Sequence, residues 1–163
     1  MNSSSKTILI VGMVASFVVA SMLNVYPLKY TFGIRPMFLV MVLAFWVMYR
    51  SSMMSVWAVF LVGLSCDLLL GTHLGHQAFC AVAMAFALRF MLLYTKELTL
   101  IQAWVLAAIG FGIYQTLLWI LQAFSHHVFT WIGFGSLMSS ITLFPLFWFP
   151  LYWINGQHKD RAY

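Results

Sequence analysis

Long apolar stretches separated by short polar breaks run along the whole chain. Most of them are close to the length of about 20 residues that an α-helix needs to cross a bilayer. The breaks contain residues that carry charge or end helices, such as Arg50, Gly71 and Lys96. The pattern predicts six transmembrane helices, at residues 7–26, 36–49, 53–70, 74–94, 98–124 and 128–154.

The predicted spans leave only short loops and termini. We therefore expect a single membrane-embedded domain over residues 1–163. Connections this short make consecutive helices antiparallel neighbours. The predicted fold class is an all-α, polytopic membrane helix bundle.

The composition agrees with a membrane location. Hydrophobic residues make up 64% of the chain and charged residues only 7%, against about 25% charged residues in an ordinary soluble domain. Eight Lys and Arg outnumber three Asp and Glu, but they stand singly between apolar runs. They do not form the basic patch that is typical of nucleic-acid binding. We expect the chain to contact the lipid bilayer and no nucleic acid.

The distribution of Lys and Arg predicts the orientation. Cytoplasmic loops of membrane proteins carry an excess of these residues. With both termini in the cytoplasm, the outer side has only Lys29 and Arg35, and the inner side has Lys6, Arg50, Arg89, Lys96, Lys159 and Arg161. We therefore predict that both termini are cytoplasmic and that the Arg89 side chain extends toward the lipid headgroups.

Asp67 is the only acidic residue inside a predicted span. A charge at the centre of a bilayer costs about 3 kcal/mol on insertion scales, so the carboxylate needs a partner or a position near the surface. Val59, Gly63 and Asp67 recur every four residues on one helix face, where Gly63 allows another helix to approach closely. Arg35 is the nearest basic residue by depth, which predicts an Arg35–Asp67 ion pair or a helix cap. The alternative is a proton or substrate site.

The chain lacks the residue sets that common enzymes use. It contains no Walker loop, no GxSxG motif and no carboxylate pair. Its histidines do not form an HExxH-type metal framework, although four of them map to the outer face, at His73, His76, His126 and His127. We therefore predict a protein that is not an enzyme and has no catalytic residue, no metal site and no cofactor.

Stripes of small and polar residues predict close helix packing, within this chain or against a partner. The predicted stripes are Gly12, Ser16 and Ala20; Ala103 and Ala107; and Gly133, Ser136 and Ser140. Gln115 and Gln122 share a further stripe and are expected to form hydrogen bonds between helices.

A local motif resembles a known family. Arg35-Pro36 opens an apolar stretch, and residues 63–75 read GLSCDLLLGTHLG. This resembles the pattern of the bacterial rod shape-determining protein MreD family, in which a Gly precedes Asp-Leu, a second Gly and Leu-Gly. The matching residues are Arg35, Pro36, Gly63, Asp67, Leu68, Gly71, Leu74 and Gly75. The clearest resemblance covers residues 35–90, and elsewhere it rests on length and hydropathy.

The resemblance implies a non-enzymatic scaffold or regulator of the lateral cell-wall elongation machinery, in the bacterial inner membrane. The family acts in complex with MreC, beside MreB, RodA and the transpeptidase partner of RodA. Its fold is similar to the substrate-binding component of energy-coupling-factor transporters. The residues predicted to fix the geometry of the bundle and to position a partner are Arg35, Pro36, Gly63, Asp67, Gly71, Leu74 and Gly75.

Two other functions stay open from the residues. The first is a small-solute-binding membrane component of a transporter, which needs a cavity with convergent polar groups. The polar residues available for such a cavity are Asp67, Gln77, Gln115 and Gln122. The second is a subunit that handles lipid-linked wall precursors.

Overall fold

The computed structural model describes residues 3–25, 36–71, 74–95, 98–126 and 133–156. These residues form six α-helices and no β-strand: α1 (Ser3–Val25), α2 (Phe38–Tyr49), α3 (Val56–Leu70), α4 (His76–Leu92), α5 (Leu100–His126) and α6 (Phe134–Gly156). Each helix lies within a few residues of one predicted span, except that α6 begins six residues later than expected. The all-helical class is confirmed.

The helices differ in their capacity to cross a membrane. Two described segments are both long and apolar enough, Leu100–Phe124 in α5 and Phe134–Trp153 in α6. The other helices are apolar but shorter in their described parts, at Leu9–Asn24, Phe38–Tyr49, Val56–Leu69 and His76–Leu92. The 12 residues of α2 extend only about 18 Å, against a hydrocarbon core about 30 Å thick. The number of spans therefore stays a prediction.

The short helix α2 forms the centre of the bundle. Every residue from Phe38 to Met48 is buried, and α2 packs against each of the other five helices. A helix that is apolar all round suits such a position. Trp46 is fully buried, and its indole Nε1 donates a hydrogen bond to Ser16 Oγ of α1 at 2.9 Å.

Irregular backbone on either side of α2 is satisfied by groups of the protein. Before the helix, the Met37 N–H donates to Ser140 Oγ of α6 at 2.8 Å. After it, the N–H groups of Met53 and Met54 both donate to the Arg50 carbonyl, at 2.9 and 3.2 Å. Non-helical backbone at membrane depth is tolerated only where such partners exist. These bonds therefore allow a short helix to lie inside the bundle.

Each predicted stripe of small residues has one or two members buried in the interior of the chain. Ala20 of α1, Ala103 and Ala107 of α5, and Ser140 of α6 are all buried. In the same helix as the two alanines, a Cβ atom on Gly110 would lie 3.0 Å from Leu88 Cδ2 of α4. At these residues the small side chains serve contacts between helices of this chain.

Candidate functional site

The end of α3 sets the position of Asp67. The helix ends at Leu70, and Gly71 follows in the left-handed conformation with φ 63° and ψ 30°. The Gly71 N–H donates to the Asp67 carbonyl and closes the last turn. Glycine is favoured in this C-terminal position because it has no Cβ atom to strain the backbone. Asp67 is consequently held one turn from the end of its helix.

The carboxylate of Asp67 caps the following helix, α4. Gly75 precedes α4 with φ 97° and has no side chain that could act as a cap. Asp67 Oδ2 accepts hydrogen bonds from the N–H groups of Gly75 at 2.8 Å and Ala78 at 3.4 Å, and Oδ1 accepts one from Gln77 N–H at 3.0 Å. The fully buried carboxylate therefore supplies the oxygen atoms that an N-cap residue would supply. Its charge also interacts favourably with the helix dipole.

One helical turn before Asp67, Gly63 allows the backbones of α3 and α4 to pack closely together. A Cβ atom at Gly63 would lie 2.5 Å from Ala78 Cα and 3.2 Å from Ala81 Cβ. Real Cβ atoms do not approach backbone this closely, so the crossing requires glycine. Ala78 also donates its N–H to Asp67. The close contact and the cap therefore form one joint between the two helices.

Gln77 and Tyr114 extend the joint to α5. The Tyr114 hydroxyl donates to Gln77 Oε1 at 2.9 Å, and both side chains are buried. The N–H of Gln77 is in turn one of the donors to Asp67. A chain of hydrogen bonds thus connects α3, α4 and α5. We give the name Asp67 cluster to the five residues of this hydrogen-bond chain together with Gly63 at the helix crossing: Gly63, Asp67, Gly75, Gln77, Ala78 and Tyr114.

The structure brings several of the predicted site residues together. Gly63, Asp67 and Gly75 belong to the cluster, and Gly71 joins it through its backbone bond to Asp67. The predicted face of Val59, Gly63 and Asp67 is buried as expected. The cap, one of the two structural roles expected for Asp67, is present.

Two other predicted residues lie outside the cluster, and a third is not among the described residues. Leu74 is on the surface, with 67% of its side chain exposed. Pro36 is buried just before α2, where its carbonyl accepts from Phe38 N–H at 3.0 Å. Arg35 lies outside the described residues, so the Arg35–Asp67 ion pair stays a prediction.

Tyr114 belongs to the cluster but was not among the residues predicted from the sequence. A signal for it exists, because Tyr114 continues the stripe of Ala103 and Ala107 by two more helical turns on the same face of α5. The other helical amides behave differently from Gln77. Gln115 is buried, and its Oε1 accepts no hydrogen bond from the residues that the structure describes, whereas Gln122 is partly buried.

Arg89 has an unexpected contact inside the protein. Its Nη2 donates to the Met54 carbonyl, in the turn between α2 and α3. Its Nε is buried and donates no hydrogen bond to any residue in the described part of the chain. The prediction from the sequence was that this side chain extends toward the headgroups. The hydropathy pattern carries no information on the contact with Met54.

The geometry of the Asp67 cluster favours a structural role over proton transfer. The donors to the Asp67 carboxylate in the cap are backbone N–H groups, which do not exchange a proton during a reaction. Charge-assisted hydrogen bonds of this kind are about twice as strong as neutral ones. The cluster can therefore lock the relative positions of α3 and α4 and connect them to α5.

Comparison with known proteins gives a match over most of the chain. A family model described as rod shape-determining protein MreD matches residues 5–154. The match extends well beyond residues 35–90, where the local motif lies. No curated protein and no solved structure matches the chain.

Proposed function

The chain belongs to the rod shape-determining protein MreD family, and we propose that it is a non-enzymatic membrane scaffold of the lateral cell-wall elongation machinery, acting in complex with MreC. The family is a membrane protein family with a role in rod shape determination. The observation that carries the proposal is the family match over residues 5–154. MreB, RodA and the transpeptidase partner of RodA are the further components proposed to work beside it.

The Asp67 cluster supports a scaffold role. A scaffold must hold its helices in one arrangement so that partner proteins meet a fixed surface. Asp67 is the only acidic residue in the described part of the chain, and its carboxylate is engaged in the cap of α4. We propose that the cluster sets the angle between α3 and α4, and that Leu68 and Leu74, which are exposed on either side of Gly71, lie on a surface that faces the partner.

The proposed topology has six spans with both termini in the cytoplasm. The short helix α2 is compatible with this topology because other helices surround it and its flanking backbone is hydrogen-bonded to protein groups. The excess of Lys and Arg on one side gives the orientation. The membrane is the bacterial inner membrane.

A small-solute-binding component of a transporter is the second candidate function. Gln115 favours it, because a buried amide oxygen that has no hydrogen-bond partner among the described residues is a group that a ligand could satisfy. This function predicts that a solute raises the melting temperature of the purified protein. It also predicts that loss of the gene impairs uptake of that solute and leaves cell shape unchanged.

Deletion and complementation in the native host test the proposed function. We expect the deletion strain to lose rod shape and become round, and the wild-type chain supplied on a plasmid to restore rods. A second plasmid carries Gly112→Ala. This variant should also restore rods, since an added Cβ atom at residue 112 would meet no atom within 4 Å. A deletion strain that keeps its rod shape in the absence of a second family member would contradict the proposal.

A further inference from the structure

A proline inside α6 leaves one backbone carbonyl without its usual helical partner. The helix contains Pro145 and Pro150. Proline has no N–H group, and its ring clashes with the carbonyl four residues earlier in the helix. For Pro145 this carbonyl belongs to Ile141. Pro145 therefore removes the intrahelical hydrogen bond that the Ile141 carbonyl would otherwise accept.

A side chain of the neighbouring helix supplies the missing donor. The indole Nε1 of Trp104, in α5, donates to the Ile141 carbonyl at 2.9 Å. The segments of α5 and α6 that contain these two residues are both long and apolar enough to cross a membrane. In such helices proline is tolerated because neighbouring groups satisfy the backbone groups that it frees. The Trp104 indole does this for Pro145.

The bond between Trp104 and Ile141 lies at the surface of the bundle. Trp104 is 41% exposed, whereas Ala103 and Ala107 of the same helix are fully buried. The indole can therefore leave the Ile141 carbonyl by rotation of its own side chain, without repacking of the core.

The half of α6 that follows Pro145 makes its own contacts with α2. The Trp148 indole N–H donates to the Tyr49 hydroxyl at 2.8 Å. The Trp148 ring also stacks on Tyr152, with the ring centroids 4.5 Å apart. A helix bends readily where a proline interrupts its hydrogen bonds. The contact between Trp148 and Tyr49 therefore depends on the direction in which α6 continues after Pro145.

We propose that Pro145 is a hinge in α6 and that Trp104 is the latch that holds it in the observed orientation. With the latch closed, the Ile141 carbonyl is satisfied and the second half of α6 lies where Trp148 meets Tyr49. With the latch open, that half is free to tilt away from α2. The device lies outside the Asp67 cluster and goes beyond the proposed scaffold function, because it gives the contact between α2 and α6 two arrangements.

A double-mutant cycle on the full-length protein in detergent tests the link between the latch and the proline. Trp104→Phe removes the indole donor and keeps an aromatic ring. We expect it to lower the melting temperature by about 3 °C, the shift that loss of one hydrogen bond gives in a protein of this size. Pro145→Ala supplies an N–H group that can bond to the Ile141 carbonyl within the helix. In the Pro145→Ala background, Trp104→Phe should therefore leave the melting temperature unchanged.

Two controls isolate this effect. Trp57→Phe alters a tryptophan that is 77% exposed and should not change the melting temperature. Pro150→Ala restores an N–H group that faces the Leu146 carbonyl instead of the Ile141 carbonyl. Trp104→Phe should consequently lower the melting temperature as much in the Pro150→Ala background as in the wild type. If Trp104→Phe alone does not fold, the proposal predicts that adding Pro145→Ala restores folding.

Pulsed electron paramagnetic resonance measures the hinge itself. Spin labels are attached to cysteines that replace Phe90 of α4 and Trp153 of α6, which are 61% and 65% exposed. The two native cysteines are buried, so the labels react at the introduced sites. We expect a narrow distribution of distances between the labels in the otherwise wild-type chain and a broader one when Trp104→Phe is added. Pro145→Ala, combined with Trp104→Phe, should make the distribution narrow again.

Three results would overturn the proposal. An equal loss of melting temperature from Trp104→Phe with and without Pro145→Ala would show that the indole bond does not compensate for the proline. A distance distribution that Trp104→Phe leaves unchanged would show that α6 does not tilt at Pro145 when the latch is removed. Failure of Trp104→Phe to fold in both backgrounds would show that Trp104 has a role in the fold that is independent of Pro145.

Discussion

At the scale of single residues, Asp67 shows what a sequence can and cannot predict. A lone carboxylate in an apolar stretch needs a partner, and the spacing of Val59, Gly63 and Asp67 predicts a buried face. In the cap, its carboxylate accepts hydrogen bonds from backbone N–H groups eight to eleven residues further along the chain. Their position depends on how Gly71 and Gly75 turn the backbone between α3 and α4. No residue pattern specifies that geometry.

Asp67→Asn is expected to destabilise the protein. The amide replaces one of the two oxygens that accept hydrogen bonds with an NH₂ group, which faces backbone donors. It also removes the charge that interacts with the α4 dipole. Leaving buried donors unsatisfied costs about 1–3 kcal/mol, so the melting temperature in detergent should fall. A thiol-reactive fluorophore can report unfolding, because Cys66 and Cys80 are buried free thiols.

The control for this variant is Glu97→Gln, which removes a carboxylate outside the predicted spans. We expect its melting temperature to equal that of the wild type. If Asp67→Asn melted at the wild-type temperature too, the cap of α4 by Asp67 would contribute nothing to stability.

Gly63→Ala is expected to force α3 and α4 apart. The added Cβ atom would lie 2.5 Å from the Ala78 backbone, and overpacking of a tight contact costs about 1–3 kcal/mol. Gly112→Ala is the matched control, since its Cβ atom meets nothing within 4 Å. In a helix interior that exchange is expected to stabilise by about 0.5–1 kcal/mol. Melting curves of the two variants should therefore shift in opposite directions, and a Gly63→Ala protein as stable as Gly112→Ala would rule out the tight crossing.

At the scale of helices, the position of α2 at the centre of the bundle is the feature that its sequence does not reveal. Hydropathy places an apolar segment at residues 36–49, and a helix forms there. An evenly apolar helix does not reveal on its own whether lipid or protein surrounds it. The answer depends on groups far away in sequence, such as Ser16 and Ser140, whose hydroxyls accept hydrogen bonds from Trp46 and Met37. The sequence predicts these serines as packing residues but not their partners.

Ser16→Ala is expected to weaken the attachment of α1 to α2. It removes the acceptor of the Trp46 indole N–H, which is buried, and the cost of the unsatisfied donor is about 1–3 kcal/mol. Ser21→Ala is the matched control, because the Ser21 hydroxyl donates to the Phe17 carbonyl of its own helix at 2.8 Å and to no other helix in the described part of the chain. In detergent, the melting temperature of Ser16→Ala should be lower than that of Ser21→Ala. Equal melting temperatures would show that the Trp46–Ser16 bond does not hold these helices together.

At the scale of the whole molecule, most of the helix positions could be predicted because apolar length determines where helices form. The described helices follow the predicted spans closely over the first five elements. The arrangement of the other helices around α2 could not be predicted, because it depends on which helix faces meet. The topology across the membrane is likewise a property of the complete bundle.

Reporter fusions test the proposed topology. A fluorescent protein that is active only in the cytoplasm should fluoresce when it is fused after Lys96 or after Tyr163, because both positions are predicted to be cytoplasmic. A fusion after His127 should be active with a phosphatase that works only outside the cytoplasm. A phosphatase that is active when fused after Tyr163 would disprove six spans with both termini inside.

The most direct test of the scaffold account is affinity purification of the full-length chain from native membranes in mild detergent, followed by mass spectrometry. The account predicts that MreC is recovered together with the wall synthases, and that Gly112→Ala recovers as much MreC as the wild type. Recovery of an ATPase pair with its coupling subunit, without MreC, would contradict the account and assign the chain to solute transport.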